Sequence, residues 1–259
     1  TYLDRVEIRP ADVYRKMRED RTPFTTSQPT PAMFAEAYRD ARSAAREVLC
    51  LTLSSGLSGT FAAAQTAVAA SGVNGVTVLD SRTISLGLGM LALRARELAD
   101  AGMPISRLVK ELTRVRERSG AFIVVGKIEH LVRSGRVSRT RGWLGRLLNI
   151  TPILHLTPAF GKVEPIDRTL GSRGLVDRVL QHLDNHLTPR PAQLRLGVVH
   201  ADAADIADRV REEVERRFNP RECYLADATA ALGVHVGPGT WAVFYQVDEP
   251  GNNSSNGTL

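Results

Sequence analysis

Three short stretches of this chain gather hydroxyl, amide and imidazole groups beside glycine or proline: Thr25-Thr26-Ser27-Gln28-Pro29, Leu53-Ser54-Ser55-Gly56-Leu57-Ser58-Gly59-Thr60 and Val234-His235-Val236-Gly237-Pro238-Gly239-Thr240. The second and third are expected where strands end, the first just before a helix. Gly56 and Gly59 free the backbone for close approach. Ser58, read as the first turn of the following helix, aims its hydroxyl and the N–H groups of Gly59 and Thr60 at one point, where the helix dipole favours a small anion. The stretches offer neutral donors, almost no acid and no metal-ligand spacing. That is the chemistry of holding a carboxylate rather than of cutting a bond. Each stretch also has a plainer reading: Ser58 as an N-cap, His235 as an imidazole satisfied by backbone at a strand end, Thr26 and Gln28 as a turn before Pro29.

The enzymatic alternative is a serine hydrolase acting on acyl esters through Ser58 and His235. A nucleophile elbow needs G-x-S-x-G, and here Gly56-Leu57-Ser58-Gly59-Thr60 carries threonine in the last place. Asp80 is the only tempting carboxylate to orient the histidine. No G-x-G-x-x-G follows a strand and no P-loop is present, so neither a nucleotide enzyme nor a cofactor is expected. Cys50 and Cys223 belong to apolar runs outside any CxxC or Cys/His spacing and are expected as buried thiols, with no metal.

With 259 residues and 43% hydrophobic content the chain can bury real cores, as one large α/β unit or two domains. Its net charge of +6 raises nucleic acid as a partner. Arginines and acids are interspersed along most of the chain, however, and neither a stacking pattern nor a recognisable module accompanies them, so no nucleic acid is expected. The exception is 133–146, with five arginines and no acid. Together with Trp143, Leu144, Leu147 and Leu148 it is suited to transient contact with an anionic membrane surface or a protein partner, the plainer reading being a solvated basic face. No apolar run approaches the roughly 18 residues of a membrane span and the start has no signal-peptide pattern, which places the protein in the cytoplasm.

The elements that must position the three stretches are legible in outline. Thr30 as N-cap, Pro31 in the first turn and an apolar face of Phe34, Ala37, Tyr38, Ala41 and Ala45 predict a helix over 30–46. A strand over 48–53, a glycine-bearing loop, an alanine-rich helix to about residue 70 and a strand over 76–79 give β-α-β order and hence a parallel sheet. Helices near 86–101 and 105–119 are expected to close at Gly102 and Gly120. Strands follow at 121–125, 152–157, 162–167, 194–199, 222–226 and 240–247, the second and third joined as a hairpin through 158–161, with helices over 172–187 and 203–218 between later ones. The fold class is therefore α/β: an N-terminal parallel sheet domain over 1–120, a C-terminal α+β domain with a largely antiparallel sheet over 121–248, and a disordered tail over 249–259. Ile84, Leu86, Leu88 and Met90, interspersed with Gly87 and Gly89, are candidate walls of a narrow channel or, more plainly, a helix packed closely on a sheet.

TTSQPTP at 25–31, LTLSSGLSGTFAAA at 51–64, LDSRTISLGLGMLAL at 79–93, LVRSGRVS at 131–138, LLNITPIL at 147–154 and VHVGPGTWAV at 234–243 resemble, in order, the successive motifs of the DegV family of bacterial fatty-acid-binding proteins. The resemblance implies the two-domain architecture above, with the N-terminal α/β domain a doubly wound parallel sheet, and one long-chain fatty acid between the domains as ligand. It also implies service as the lipid-binding subunit of a fatty acid kinase, a carrier rather than an enzyme, presenting the acyl carboxylate to a separate ATP-dependent kinase subunit. Carried over residue by residue, the carboxylate contacts fall on Thr26, Ser58 and His235, with Thr25, Ser55, Gly59 and Thr60 as secondary candidates. Arg168 and Arg173 fall in the segment that resembles the family's basic strand-to-helix stretch and are expected as partner contacts. Members of the family begin with a further segment that includes a first strand, so the N-terminal sheet is expected without that strand. Val236 stands where the family has threonine, removing one hydroxyl beside His235.

Overall fold

The computed structural model describes residues 1–19, 24–137 and 150–248. The tail at 249–259 and the Trp143, Leu144, Leu147 and Leu148 of the basic run lie outside the described residues.

After a first helix, α1 (Pro10–Glu19), comes α2 (Pro31–Ala44). It starts as its residue types dictate: the Thr30 hydroxyl accepts a hydrogen bond from the Met33 amide at 3.3 Å and Pro31 occupies the first turn, where its missing N–H costs nothing. The apolar run beyond forms β1 (Val48–Thr52), and after loop 53–59 come α3 (Thr60–Ser71) and β2 (Val76–Asp80), which pairs in parallel with β1. Leu49 and Leu51 of β1 join Leu79 in a core with Leu91 and Leu98 of α4 (Ser85–Asp100) and with Leu108, Leu112 and Val115 of α5 (Ile105–Glu117). Cys50 points the other way, to Tyr38 of α2, whose hydroxyl donates to the Ala64 carbonyl of α3. Helices thus cover both faces of the parallel pair, the doubly wound arrangement expected.

The remaining elements are β3 (Ser119–Val124), α6 (Ile128–Ser134), β4 (Ile150–Thr157), β5 (Lys162–Leu170), α7 (Leu175–His186), β6 (Leu194–Ala201), α8 (Ala204–Phe218), β7 (Glu222–Asp227), α9 (Ala230–Val236) and β8 (Thr240–Val247). Six strands form one sheet in the order β5-β4-β3-β8-β6-β7, antiparallel throughout except for the β6–β7 pair, which α8 joins as a parallel crossover. The hairpin expected at 158–161 is present, with Thr157 opposite Lys162. Strands β3, β6 and β8 are buried along their whole length, because both faces of the sheet are covered. Phe122, Leu196, Val198, Val243 and Tyr245 face a core with α7 and α8; Ala121, Ile123, Val199, Ala242 and Phe244 face a second core that includes Tyr14 of α1, Met90 of α4 and Val236 of α9.

Two expectations need correction. Gly102 follows α4 with φ of 78°, as a helix-ending glycine should. Gly120 does not end α5; it lies inside β3, where a Cβ would stand 2.5 Å from the Tyr245 hydroxyl, so a close side-chain approach rather than a turn requires it. The thiols of Cys50 and Cys223 are half-buried rather than enclosed, and burial still pushes Cys223 up to about 11.

The first set of helices is joined to the six-stranded sheet by packing and by charge. Gly197 of β6 lets Leu86 of α4 come close, since a Cβ there would lie 2.8 Å from the leucine methyl. Arg195 of β6, wholly buried, meets Glu222 at 2.6 Å, Asp248 at 2.8 Å and Glu97 of α4. Asp248 also accepts from Gln246, whose amide nitrogen donates to the Met90 carbonyl at 3.2 Å.

Candidate functional site

Loop 53–59 leaves the C-terminal end of β1 and is held in place from several directions. The Ser54 amide donates to the Thr83 carbonyl at 2.8 Å, and its buried hydroxyl donates to the Gly161 carbonyl at 2.6 Å in the β4–β5 turn. Gly56 lies against that turn so closely that a Cβ would stand 2.8 Å from the Phe160 and Gly161 carbonyls. Ser55 bonds through both amide and hydroxyl to Asp80, at 3.1 and 2.5 Å, and Asp80 also accepts from the Arg82 amide at 2.9 Å. Asp80 therefore braces the loop, and the exposed Ser55 is engaged in that brace.

At the end of the loop the Ser58 hydroxyl lies 2.8 Å from the hydroxyl of the buried Thr60 and accepts from the Thr60 amide at 3.3 Å. Ser58 is thus neither in the first turn of α3 nor its N-cap: it lies one residue before the cap position, which Gly59 holds without a side-chain cap bond. The Gln28 carboxamide covers Gly59, where a Cβ would stand 2.3 Å from its oxygen. Stretch 24–29 is thereby laid across loop 53–59.

His235 is not at a strand end. It occupies the last turn of α9, a helix that Thr229 caps by accepting from the Leu232 amide at 3.2 Å and that Gly237 ends. Its Nε2 lies 2.7 Å from Thr26 Oγ1. Its Nδ1 is buried and has no hydrogen-bond partner among the described residues. Burial, and then the positive charge of Arg136, push the His235 pKa below the ordinary imidazole range, so the ring is neutral at physiological pH. Arg136 follows α6, just past Gly135, which is left-handed with φ of 71°. Its Nη1 donates to the Ser134 carbonyl at 2.6 Å and its Nε to the Leu57 carbonyl at 3.4 Å. One guanidinium thus touches the Ser58 loop and acts on His235. The sequence places this arginine in a basic run and in the motif LVRSGRVS but gives it no role there; the available signal was its position directly after a helix-ending glycine.

Val236, the residue after His235, lines a small apolar cleft together with Ile84, Ile123, Leu232, Ala242 and Phe244, and Ala228 and His200 belong to the same wall. Its volume is about 20 Å³, close to a single water-sized sphere, so a larger guest enters only by displacing these aliphatic side chains. Val236 belongs to this wall and to the core behind it. Of the four candidate channel residues, Ile84 lines the cleft and Leu86 and Met90 belong to the core around it; Leu88 does not. Gly87 serves close packing, with a Cβ 3.1 Å from the Phe244 ring, whereas Gly89 has nothing within 4 Å.

Thr26 and His235 are in direct contact, and Ser58, Gly59 and Thr60 are linked to them through Gln28 and Arg136. Thr25 is exposed beside Thr26. Arg168 and Arg173 are exposed on β5 and in the turn beyond it, Arg168 about 20 Å along the strand from the turn that meets loop 53–59. The arrangement a hydrolase needs is not assembled: His235 meets Thr26 rather than Ser58, and Asp80 is bound to Ser55. Among the described residues no group of three or more His, Cys, Asp or Glu can hold a metal. A neutral imidazole, several hydroxyls and a guanidinium, with an apolar cleft adjoining at Val236, suit a guest with an anionic end and an aliphatic body.

Comparison with known proteins agrees with this chemistry. The family model described as "uncharacterised protein, DegV family" matches residues 1–248. A DegV domain-containing protein of Caldanaerobacter subterraneus is 28% identical over 246 residues, covering 95% of this chain and 86% of its own length. A solved DegV family protein from Thermus thermophilus, described for its fatty acid binding, superposes with a TM-score of 0.88 at 33% identity over 95% of this chain and 87% of that one. DegV of Bacillus subtilis, a fatty acid binding protein, superposes with a TM-score of 0.83 at 27% identity over 95% and 86%.

Proposed function

The chain belongs to the DegV family, and from that premise we propose that it binds one long-chain fatty acid, with the carboxylate among Thr26, Ser58 and His235 and the tail in the cleft behind α9. The observation that carries this reading is the 2.7 Å contact between Thr26 and His235 under the charge of Arg136, one residue along the chain from Val236 in the wall of a cleft lined by aliphatic side chains. Desolvating a carboxylate costs several kcal/mol unless donors replace water, whereas each buried methylene returns about 0.8 kcal/mol. A palmitoyl tail therefore supplies on the order of 10 kcal/mol gross, enough to drive binding once the head group is satisfied. Gly59 and Thr60 add backbone donors, and Thr25 and Ser55 stand by as secondary groups.

In this reading the two sheets are the cores of an N-terminal domain over 1–120 and a C-terminal domain over 121–248. The protein is a cytoplasmic carrier without catalysis or cofactor of its own. It hands the exposed carboxylate to a separate ATP-dependent fatty acid kinase for acyl-phosphate formation, with Arg168 and Arg173 as partner contacts and a transient membrane contact during lipid exchange. Charged groups remote from the head-group site support this division of labour. The deciding experiment is native mass spectrometry followed by organic extraction: a copurifying saturated or monounsaturated fatty acid is expected. A delipidated, folded sample that takes up neither palmitate nor oleate would reject the proposal.

A further inference from the structure

Arg136 reaches the head-group site from a short element. The helix before it, α6, has seven residues and ends at the left-handed Gly135, with the arginine next in the chain. So short a helix owes its place to what it packs against rather than to its own hydrogen bonds. Its apolar side chains Ile128, Leu131 and Val132 join the core that also holds Val236 of α9. Hydrophobic burial is non-directional, so this face fixes how deeply α6 lies and not where it stops beside α9.

That position is set by directed contacts with the stretch that ends α9. Ahead of α6, the Gly126 amide donates to the Thr240 hydroxyl at 3.3 Å, which in turn donates to the Val236 carbonyl at 2.9 Å. Gly126 also lies so close to Pro238 that a Cβ would stand 2.4 Å from its carbonyl oxygen. Within α6 the contact is made by His130, whose ring lies on Gly237: a Cβ there would stand 2.4 Å from the ring Cδ2 and 2.9 Å from Nε2. Gly237 is required twice over, for this space and for its φ of 78°. The His130 ring is half-buried, with Nδ1 3.4 Å from Arg133 Nη2. Burial, and then Arg133 and Lys127, hold its pKa below the ordinary imidazole range, so at physiological pH the ring is uncharged and acts through its shape. His130 and Arg136 thus belong to one segment, Gly237 and His235 to the other, and the ring wedges the two together.

We propose that His130 is a positioning residue of the head-group site, its ring against Gly237 holding α6 so that Arg136 stays beside loop 53–59 and His235. The effect on binding rests on the fatty-acid reading above; the placement of Arg136 does not, and the test separates the two. The imidazole titration of His235 is followed by NMR in lipid-free wild type, His130→Ala, His130→Phe, Arg136→Gln and the double variant His130→Ala with Arg136→Gln. His130→Ala should raise the His235 pKa in the same direction as Arg136→Gln, because α6 and its arginine are released. His130→Phe keeps a flat ring without a titratable group and should leave the His235 pKa at its wild-type value. The double variant should rise no further than Arg136→Gln alone. Palmitate affinity should follow the same order, about two- to tenfold weaker in His130→Ala and near wild type in His130→Phe. No rise in His130→Ala overturns the inference. So does an equal rise in His130→Phe, which would assign the effect to charge, or a further rise in the double variant, which would assign it to hydration of His235. Wild type that takes up no palmitate rejects the fatty-acid reading, and the titrations still decide the positioning. Should His130→Ala not fold, His130→Asn, shorter than the ring and uncharged, takes its place with the same outcomes deciding.

Discussion

Thr26 Oγ1 and His235 Nε2 lie 2.7 Å apart although 209 positions separate them in the chain. Neither residue has chemistry of note by itself. Joined, they hold a hydroxyl against a neutral imidazole on which the charge of Arg136 acts, and in the proposed reading that charge is what an incoming anion needs.

Removing one of these donors leaves its partner and a bound carboxylate short of a hydrogen bond. Thr26→Ala, Ser58→Ala and His235→Ala should each weaken palmitate binding by roughly 1 to 3 kcal/mol, and Thr26→Ala with His235→Ala should cost less than the sum of the two. Calorimetric titration of delipidated protein checks this. Arg136→Gln should raise the His235 pKa, because Arg136 is the second cause holding it down after burial; an imidazole NMR titration that shows no rise would remove Arg136 from the site.

Arg195 joins α4 to the sheet through Glu97, Glu222 and Asp248. In Arg195→Met the buried Asp248, whose pKa burial already raises, loses the cation that offsets that rise, and Glu97 and Glu222 lose their shared partner, so the variant should lose about 3 to 5 kcal/mol against denaturant. A loss below about 1 kcal/mol would show that the cluster is not what holds these elements together.

A third prediction concerns acid. The hydroxyl of Tyr245 lies between His155 Nε2 at 3.0 Å and His186 Nε2 at 2.7 Å, within the core that α7 covers. Burial, and then His186 and His182, push His155 down to about 4, and burial also lowers His186. Both groups are neutral in the folded and unfolded chain above about pH 6.5, the ordinary imidazole value. As pH falls from there, the unfolded chain takes up the proton first, so stability is lost progressively down to about pH 4, by about 3 kcal/mol for His155 alone. Asp167, held down to about 2 with Arg178 and His182 as partners, adds its loss only below the usual carboxylate range. Denaturant midpoints from neutral pH to about pH 4 should therefore fall in wild type and fall less in His155→Gln. Equal slopes in the two proteins would refute the assignment.

Several parts of this molecule can be read directly from the chain because their causes are local. Thr30 and Pro31 start α2 through groups within one turn; the run at 48–52 and the small residues after Gly59 separate strand from helix by side-chain periodicity; Pro158-Ala159-Phe160-Gly161 makes the hairpin turn. The same local patterns place Thr26, Ser58 and His235 beside glycine and proline, and the ordered motifs around them indicate the family. Tertiary structure alone decided the rest. Gly120 resembles a helix stop until Tyr245 is seen to need its space, His235 resembles a strand end until α9 is packed between α1 and α6, and Arg136 is one arginine among several until it reaches the Leu57 carbonyl. Arg195 sits in an apolar strand without a visible partner, since Glu97 and Asp248 arrive from other elements. Caps and periodicity act over a few residues, whereas the pairing of a buried charge and the closing of a cleft depend on which distant segments come within a few ångströms, and that is settled only when the sheet and its helices are assembled.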